Sequence, residues 1–374
     1  MSPQLEIQLI AVMVAVACAL PGTFLVLRRM AMMSDSISHT ILLGIVLAFF
    51  ITRDLSSPLL ILGAALIGLA TVWMTETLKT TRLMAEDAAI GIVFPLLFSI
   101  AVILITGYAD SVHLDTDSVL LGELAFAPFD RLVIGGQDMG ARALYITGGL
   151  LAINLLAILL FFKELKLATF DPLLAATLGF APTLVYYGLM GLVSITAVGA
   201  FQAVGSVLVV AFMVGPPLAA YLLTDRLSHM LLLSSLFAAF SGLVGYYSAM
   251  LLDVSIAGSM AVAVGAMFLL VFLVAPRKGL FCALGKRWSR RKRLGEAQLL
   301  LYMMDRDSGG ARRTDLYGPK AFKRDRRFVD RRLARLKRCG CLQMVGSWVM
   351  LTDKGREEGK RRRESLLLRH TTNR

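Results

Sequence analysis

The chain has 374 residues, of which 57% are hydrophobic, with a mean hydropathy of +0.70 and a formal net charge of +13. So much apolar surface cannot be covered by the polar residues that remain, which excludes an ordinary soluble globular protein. Charge is unevenly shared: residues 1–285 hold 12 Lys and Arg against 16 Asp and Glu, a net of −4, whereas residues 286–374 hold 27 against 10, a net of +17.

In chain order, the first apolar stretch is Ile7–Val26, followed at once by Arg28 and Arg29. It has no basic segment before it and no small-x-small cleavage site after it, so it reads as a span and not as a signal peptide. Ser36–Ile51 is shorter and carries a histidine. Leu55–Thr75, Ala88–Ala109, Ala143–Phe162 and Val254–Pro276 contain no Asp, Glu, Lys or Arg. A helix of about 20 such residues crosses a hydrocarbon core; the alternative, a buried core helix, rarely stays uncharged for so long. Pro172–Thr224 is one uncharged run, long enough for two spans and a tight return, and Leu227–Leu252 is broken only by His229. The expected architecture is an all-α polytopic membrane domain over residues 1–278 with about nine transmembrane helices, or eight if one short segment fails to cross.

Lys and Arg accumulate in cytoplasmic loops. With Arg277 and Lys278 inside, alternation through nine spans puts Arg28/Arg29, Lys79/Arg82, Lys163/Lys166 and Asp225/Arg226 inside. It puts Arg53, the 108–142 loop and Asp253 outside; eight spans would move the N-terminus in. Cys18, Cys282, Cys339 and Cys341 form no disulfide framework. Cys339-Gly340-Cys341 is too closely spaced for an easy bridge, and reduced thiols are expected.

The chain has no Gly-x-x-x-x-Gly-Lys-Ser/Thr, so it cannot cradle nucleotide phosphates in a P-loop. Transport driven by ATP would need a second subunit and a surface that feels it move. Thr169-Phe-Asp-Pro-Leu-Leu-Ala-Ala-Thr-Leu-Gly179 lies between two spans on the inner side. Asp171 can cap a short helix beginning at Pro172, and Gly179 suits its end. An ordinary inter-span loop is the alternative.

Asp35-x-x-x-His39 is the sharpest chemical feature. Residues four apart share a helix face, so a carboxylate oxygen and an imidazole nitrogen can reach one ion. That mixture of donors suits Zn²⁺, Mn²⁺ or Fe²⁺. Ionisable groups inside a span are costly, which points to a role. The other reading is interfacial: Asp35 caps the helix, with Ser36 and Ser38 beside it. Glu86 and Asp87 open a span and suit a helix N-terminus. Asp110, His113, Asp115 and Asp117 cluster in the outer loop, either solvated or placed to greet a cation or a binding protein. Gly205, Gly215 and Pro216-Pro217 suit close packing and a break.

Several of these segments carry a family resemblance. They are Gly22-x-x-x-Val-Leu-Arg28-Arg29-Met30-Ala-Met-Met-Ser-Asp35-Ser-Ile-Ser38-His39-Thr-x-Leu-x-Gly44, Glu86-Asp87-Ala-Ala-Ile-Gly91 and Leu120-Leu-Gly122. Phe170-Asp171-Pro172 with Ala175 and Leu178-Gly179, Val204–Val209 leading to Gly215–Ala220, and Ser241–Ser248 followed by Gly258 continue the series. In this order, over about residues 5–278, they resemble the permeases of zinc, manganese and iron ABC importers of the Tro type. The resemblance implies a type II importer fold like that of vitamin B12 and siderophore permeases, in the bacterial plasma membrane. It implies two permeases, identical or paralogous, two ATP-binding subunits and an extracytoplasmic metal-binding lipoprotein. The chain would then be no enzyme, and would hold no permanent cofactor but pass Zn²⁺, Mn²⁺ or Fe²⁺. The resemblance further implies that Asp35 and His39 line the path and that Phe170, Asp171, Pro172, Ala175, Leu178 and Gly179 couple to the ATPase. Ser34 departs from the glycine common in relatives.

Residues 279–295 form a basic linker, in which Lys286–Arg293 can hold anionic lipid headgroups. Residues 296–374 read as a small folded cytoplasmic domain. Glu296–Met304 is a short apolar helix, and Asp325–Arg338 is amphipathic through Val329, Leu333 and Leu336. Leu342–Met350 is a hairpin about Val345-Gly346-Ser347, and Thr352 caps a last basic helix. The pattern resembles the winged helix of diphtheria-toxin-repressor-like regulators, without clear counterparts of their metal ligands. Docking on the ATPase, regulation or lipid contact is favoured over DNA binding. A secondary metal transporter or a membrane-tethered DNA-binding regulator are the competing functions; nine spans far exceed what an anchor needs.

Overall fold

The computed structural model describes residues 2–53, 57, 59–81, 83–108, 124–134, 137–276, 279–282, 298–304, 310–312, 316 and 326–371. The chain divides into two compact units, residues 1–279 and 280–374.

The first unit is helical. Its elements are α1 (Pro3–Leu27), α2 (Ala31–Thr52), α3 (Leu59–Thr80), α4 (Glu86–Tyr108), a 3₁₀ turn (Leu124–Phe129), a hairpin β1–β2 (Arg131–Ile134, Gln137–Ala141) and α5 (Arg142–Leu160). Then come α6 (Phe162–Phe170), α7 (Pro172–Thr177), α8 (Pro182–Val204), α9 (Ser206–Leu223), α10 (Leu227–Leu252) and α11 (Ile256–Val274). Among the described residues nine helices are long and apolar enough to cross a membrane: α1–α5 and α8–α11. α2 is longer than its apolar run: Ala31–Ser34 and Asp35 precede the apolar residues but continue the same helix.

α1 is the hub and packs against α5, α8, α9 and α10, while α2 lies between α3, α4 and α9. In lipid no hydrophobic force draws helices together, so close packing and interhelical hydrogen bonds do it. α2 and α3 meet backbone to backbone: a Cβ on Gly44 would run into the Gly63 carbonyl and lie 2.5 Å from the Ala64 Cα. Thr71 Oγ1 donates to Thr40 Oγ1 at 2.8 Å across the same pair. Asn154 Nδ2 donates to the Ala17 carbonyl and to Thr196 Oγ1, both at 2.9 Å, tying α5 to α1 and α8. Gly205 (φ 79°) separates α8 from α9, so the two membrane-length helices of the long uncharged run part at a single residue.

At one end of the bundle the hairpin is clamped to α1: Arg131 pairs with Asp138 at 3.1 Å and with buried Glu6 at 3.8 Å. α6 was not expected between α5 and α7, nor was the hairpin within the 108–142 loop. Its strands, of four and five residues, are too short to show an alternation.

The second unit, taken by itself, contains α12 (298–304), β3 (Gly310–Arg312), α13 (Arg326–Arg338), β4 (Leu342–Val345), β5 (Trp348–Leu351) and α14 (Asp353–Thr371). Leu299, Leu300, Met303, Val329, Leu333 and Leu336 form its core with the sheet residues Ala311, Leu342 and Val349. α13 ends at Gly340 (φ 71°), where the Cys341 amide donates to the Leu336 carbonyl at 3.0 Å. The hairpin turns at Gly346-Ser347 between paired Val345 and Trp348. The Gly355 amide donates to Thr352 Oγ1 at 3.2 Å, as a cap requires. β3 was not foreseen; it pairs antiparallel with β5, giving the sheet order β3-β5-β4. The basic cluster Lys286–Arg293 lies outside the described residues.

Candidate metal path and coupling helix

Asp35 is the fifth residue of α2, and the N-cap is Met30, whose side chain makes no capping bond. Asp35 is therefore not the helix cap; Ser34 and Ser38 bond back to the Ala31 and Ser34 carbonyls of their own helix. One turn on, His39 Nε2 lies 3.6 Å from Asp35 Oδ1, with the two side chains 26% and 42% exposed. His39 packs against Phe94 and Phe98 of α4, with ring centroids 5.2 and 6.0 Å away. Asp35 opens on a groove of about 400 Å³ between α2, α9 and α11, walled by Val214, Gly215, Val264 and Phe268. Among the described residues no third His, Cys, Asp or Glu joins them in a possible metal cluster. The pair offers one nitrogen and one carboxylate, an incomplete set whose remaining positions must come from water or another chain.

At the opposite end from the hairpin, α7 takes its form from three residues. Asp171 Oδ1 accepts from the Leu174 amide at 2.9 Å, Pro172 supplies the first helical residue, and Gly179 (φ 86°) reverses the chain. The Phe180 amide then donates to the Ala175 carbonyl at 3.1 Å. Ala175 is buried, but Phe170, Leu173 and Leu178 are exposed, Leu173 by 80%. α7 is too short to span a membrane, so this apolar surface is not explained by lipid around a span.

This end also holds a polar chain that sequence reading missed. Arg28 Nε donates to Thr169 Oγ1 at 3.4 Å, and its guanidinium stands 5.4 Å from the Tyr186 ring centroid. Tyr186 Oη donates to Glu76 Oε2 at 3.5 Å. Lys79 pairs with Glu76 at 3.6 Å and with Glu86 at 2.8 Å. Burial lowers the pKa of Arg28, with Tyr186 opposing the shift; the guanidinium stays charged. Arg28, Lys79 and Glu86 were visible only as loop charges or a helix start. Their partners are scattered along the chain, and no local pattern announces them. Asp110, His113, Asp115 and Asp117, with Leu120–Gly122, lie outside the described residues.

Nine membrane-length helices, a donor pair with its carboxylate on an apolar groove and an exposed capped helix at one end define a polytopic membrane permease. Residues 5–275 match the ABC 3 transport family. Over 275 residues the chain is 52% identical to the zinc transport system membrane protein TroD of Treponema pallidum (strain Nichols), covering 74% of this chain and 75% of that one. Over 268 residues it is 46% identical to the manganese transport system membrane protein MntD of Bacillus subtilis (strain 168), covering 72% and 90%. The fold is similar to a chain of PsaBC from Streptococcus pneumoniae, solved in complex with Fab, with a TM-score of 0.62 and 30% identity over 74% of this chain and 94% of that one. The chain belongs to the ABC 3 transport family. The match ends before the second unit begins.

Proposed function

We propose that this chain is the membrane-spanning permease subunit of an ATP-driven importer of a divalent transition metal, zinc or manganese. The carrying observation is the Asp35/His39 pair, one turn apart on α2, with Asp35 at the edge of a groove against α9 and α11. Its mixed donors suit both metals named for the relatives. Iron rests on donor chemistry alone. The chain is a transport subunit and not an enzyme; ATP is hydrolysed by a separate subunit, which docks on the exposed apolar face of α7. Two donors bind loosely, as release requires, and a second permease, identical or paralogous, completes the set. An extracytoplasmic metal-binding lipoprotein delivers the ion to the 108–142 side, where the sequence carries Asp110, His113, Asp115 and Asp117.

Uptake of Zn²⁺ and Mn²⁺ by cells carrying Asp35→Ala or His39→Ala, at matched expression, tests the path. Each variant should lose at least about tenfold, since even outer partners of a metal site carry that much. Normal uptake would remove the pair from the path.

The second unit is read as a cytoplasmic winged helix. The sheet order β3-β5-β4 supports this, with a hairpin directly after an amphipathic helix. Arg331, Arg335 and Arg338 lie exposed on α13, opposite its buried Val329, Leu333 and Leu336. That face suits the ATPase or lipid headgroups, and duplex DNA is the competing partner.

A further inference from the structure

We propose that Arg28 is a positioning residue that transmits movement of the α6–α7 segment to the helix carrying the metal pair. The inference rests on the reading of α7 as the ATPase contact and of Asp35/His39 as the path.

Arg28 lies in the connection between α1 and α2, whose backbone is tied throughout. The Arg28 amide donates to Phe24 at 3.0 Å, Arg29 to Val26 at 3.1 Å, Met30 to Leu25 at 2.9 Å and Met33 to Met30 at 3.0 Å. Arg29 takes a left-handed conformation (φ 63°) to close it. So short and bonded a turn has little freedom to absorb a displacement; a pull on Arg28 shifts the start of α2. The side chain is held from outside that turn by Thr169, two residues before the α7 cap Asp171, and by Tyr186, in the second turn of α8. The grip therefore spans the segment that would follow the ATPase.

A second branch reaches the same site. From Tyr186 the contacts run through Glu76 and Lys79 of α3 to Glu86, the first residue of α4. α4 places Phe94 and Phe98 against His39. One branch thus ends on the helix of the pair and the other on the wall of its histidine. Arg28 is where the two divide. Its Nη2 is buried without a partner among the described residues. An unpaired buried donor is costly, so it is ready to take a new acceptor when the segment moves. Thr169 contributes through a neutral hydroxyl at 3.4 Å, a bond weak enough to break and remake in each cycle.

The test uses the whole transporter, with its ATPase and metal-loaded binding protein, in proteoliposomes. Zn²⁺ or Mn²⁺ moved per ATP hydrolysed is measured for Arg28→Ala, Arg28→Lys, Thr169→Val and the Arg28→Ala/Thr169→Val double variant. Arg28→Ala should lower that ratio at least about fivefold, the scale of ordinary coupling energies. Basal ATP hydrolysis and the metal concentration for half-maximal uptake should persist. Arg28→Lys, which keeps the cation over Tyr186, should restore part of the ratio. Thr169→Val should cost less, and nothing more on top of Arg28→Ala. A normal ratio in Arg28→Ala overturns the inference. So does a proportional fall of uptake and hydrolysis, which marks a structural role. If Arg28→Ala fails to assemble, a normal ratio in Thr169→Val overturns it instead. Phe170→Ala and Asp35→Ala are run alongside. If ATPase association and uptake survive both, the underlying reading fails; if both are lost while Arg28→Ala is normal, only the relay fails.

Discussion

Asn154 shows what a polar residue does inside this bundle when it is not part of the path. Its amide donates to the Ala17 carbonyl and to Thr196 Oγ1, and Thr196 donates back to Asn154 Oδ1 at 3.1 Å. The two partners differ: Thr196 also reaches its own Leu192 carbonyl at 2.7 Å, whereas the Ala17 carbonyl faces Pro21 one turn on, which has no amide hydrogen to give it. Removing the amide takes from the buried Ala17 carbonyl the donor that Pro21 cannot supply, so the loss should lie toward the upper end for such bonds. Asn154→Leu should destabilise the detergent-solubilised protein by about 0.6–1.7 kcal/mol, the range for interhelical hydrogen bonds in membranes. Thr196→Val on top should cost less than it does alone. Unfolding curves for the four variants of this cycle check both; strict additivity would show that the two side chains do not act as a unit. Asp35 differs from Asn154 in being open to a groove and, among the described residues, ion-paired with His39 alone. That contrast separates a residue that holds the bundle from one that does not.

At the scale of elements, α7 was readable because its form is set by local chemistry. Asp171, Pro172 and Gly179 supply the cap, the fixed φ and the left-handed end, and the helix forms where they put it. Asp171→Ala should cost that helix about 1 kcal/mol. Bundle stability should hardly change, since α7 buries little beyond Ala175. Capture of the ATPase subunit should weaken, and Asp171→Asn, which keeps an acceptor at the cap, should restore it. Full capture by Asp171→Ala would mean that docking does not need the cap. Other elements were hidden for physical reasons. α2 looked short because Ser34 and Asp35 interrupt its apolar pattern, yet the Ser34 hydroxyl bonds within the helix and does not end it. α6 carries Lys163, Glu164 and Lys166 and reads as loop. The Arg28 network depends on α1, α3, α4 and α8 converging, which no window of sequence contains. The Asp35/His39 spacing was legible, but only the helix start at Ala31 decided against capping.

For the whole molecule, the division of charge coincides with a division of structure. The family match stops at residue 275, the two compact units meet at 279–280, and the net charge changes sign within a few residues of both. A domain of net +17 suits an anionic partner, and the candidates differ in what salt does to them. Phosphate contacts on a duplex release counterions, so affinity falls steeply, with a slope near 0.9 per phosphate in log–log terms. α13 offers Arg331, Arg335 and Arg338, and the β4–β5 hairpin follows it in the chain. If DNA is the partner, the isolated 280–374 unit should shift duplex DNA, with a slope of about −3 from those three contacts. Arg331→Ala should reduce the slope by about 1. No shift near physiological salt would discard DNA. Sedimentation with anionic but not neutral vesicles would then assign the face to lipid, and retention on the immobilised ATPase subunit would assign it to the motor. Because α13 holds its core with Val329, Leu333 and Leu336, the arginine substitutions leave the fold intact, and a lost shift reports on the contact itself.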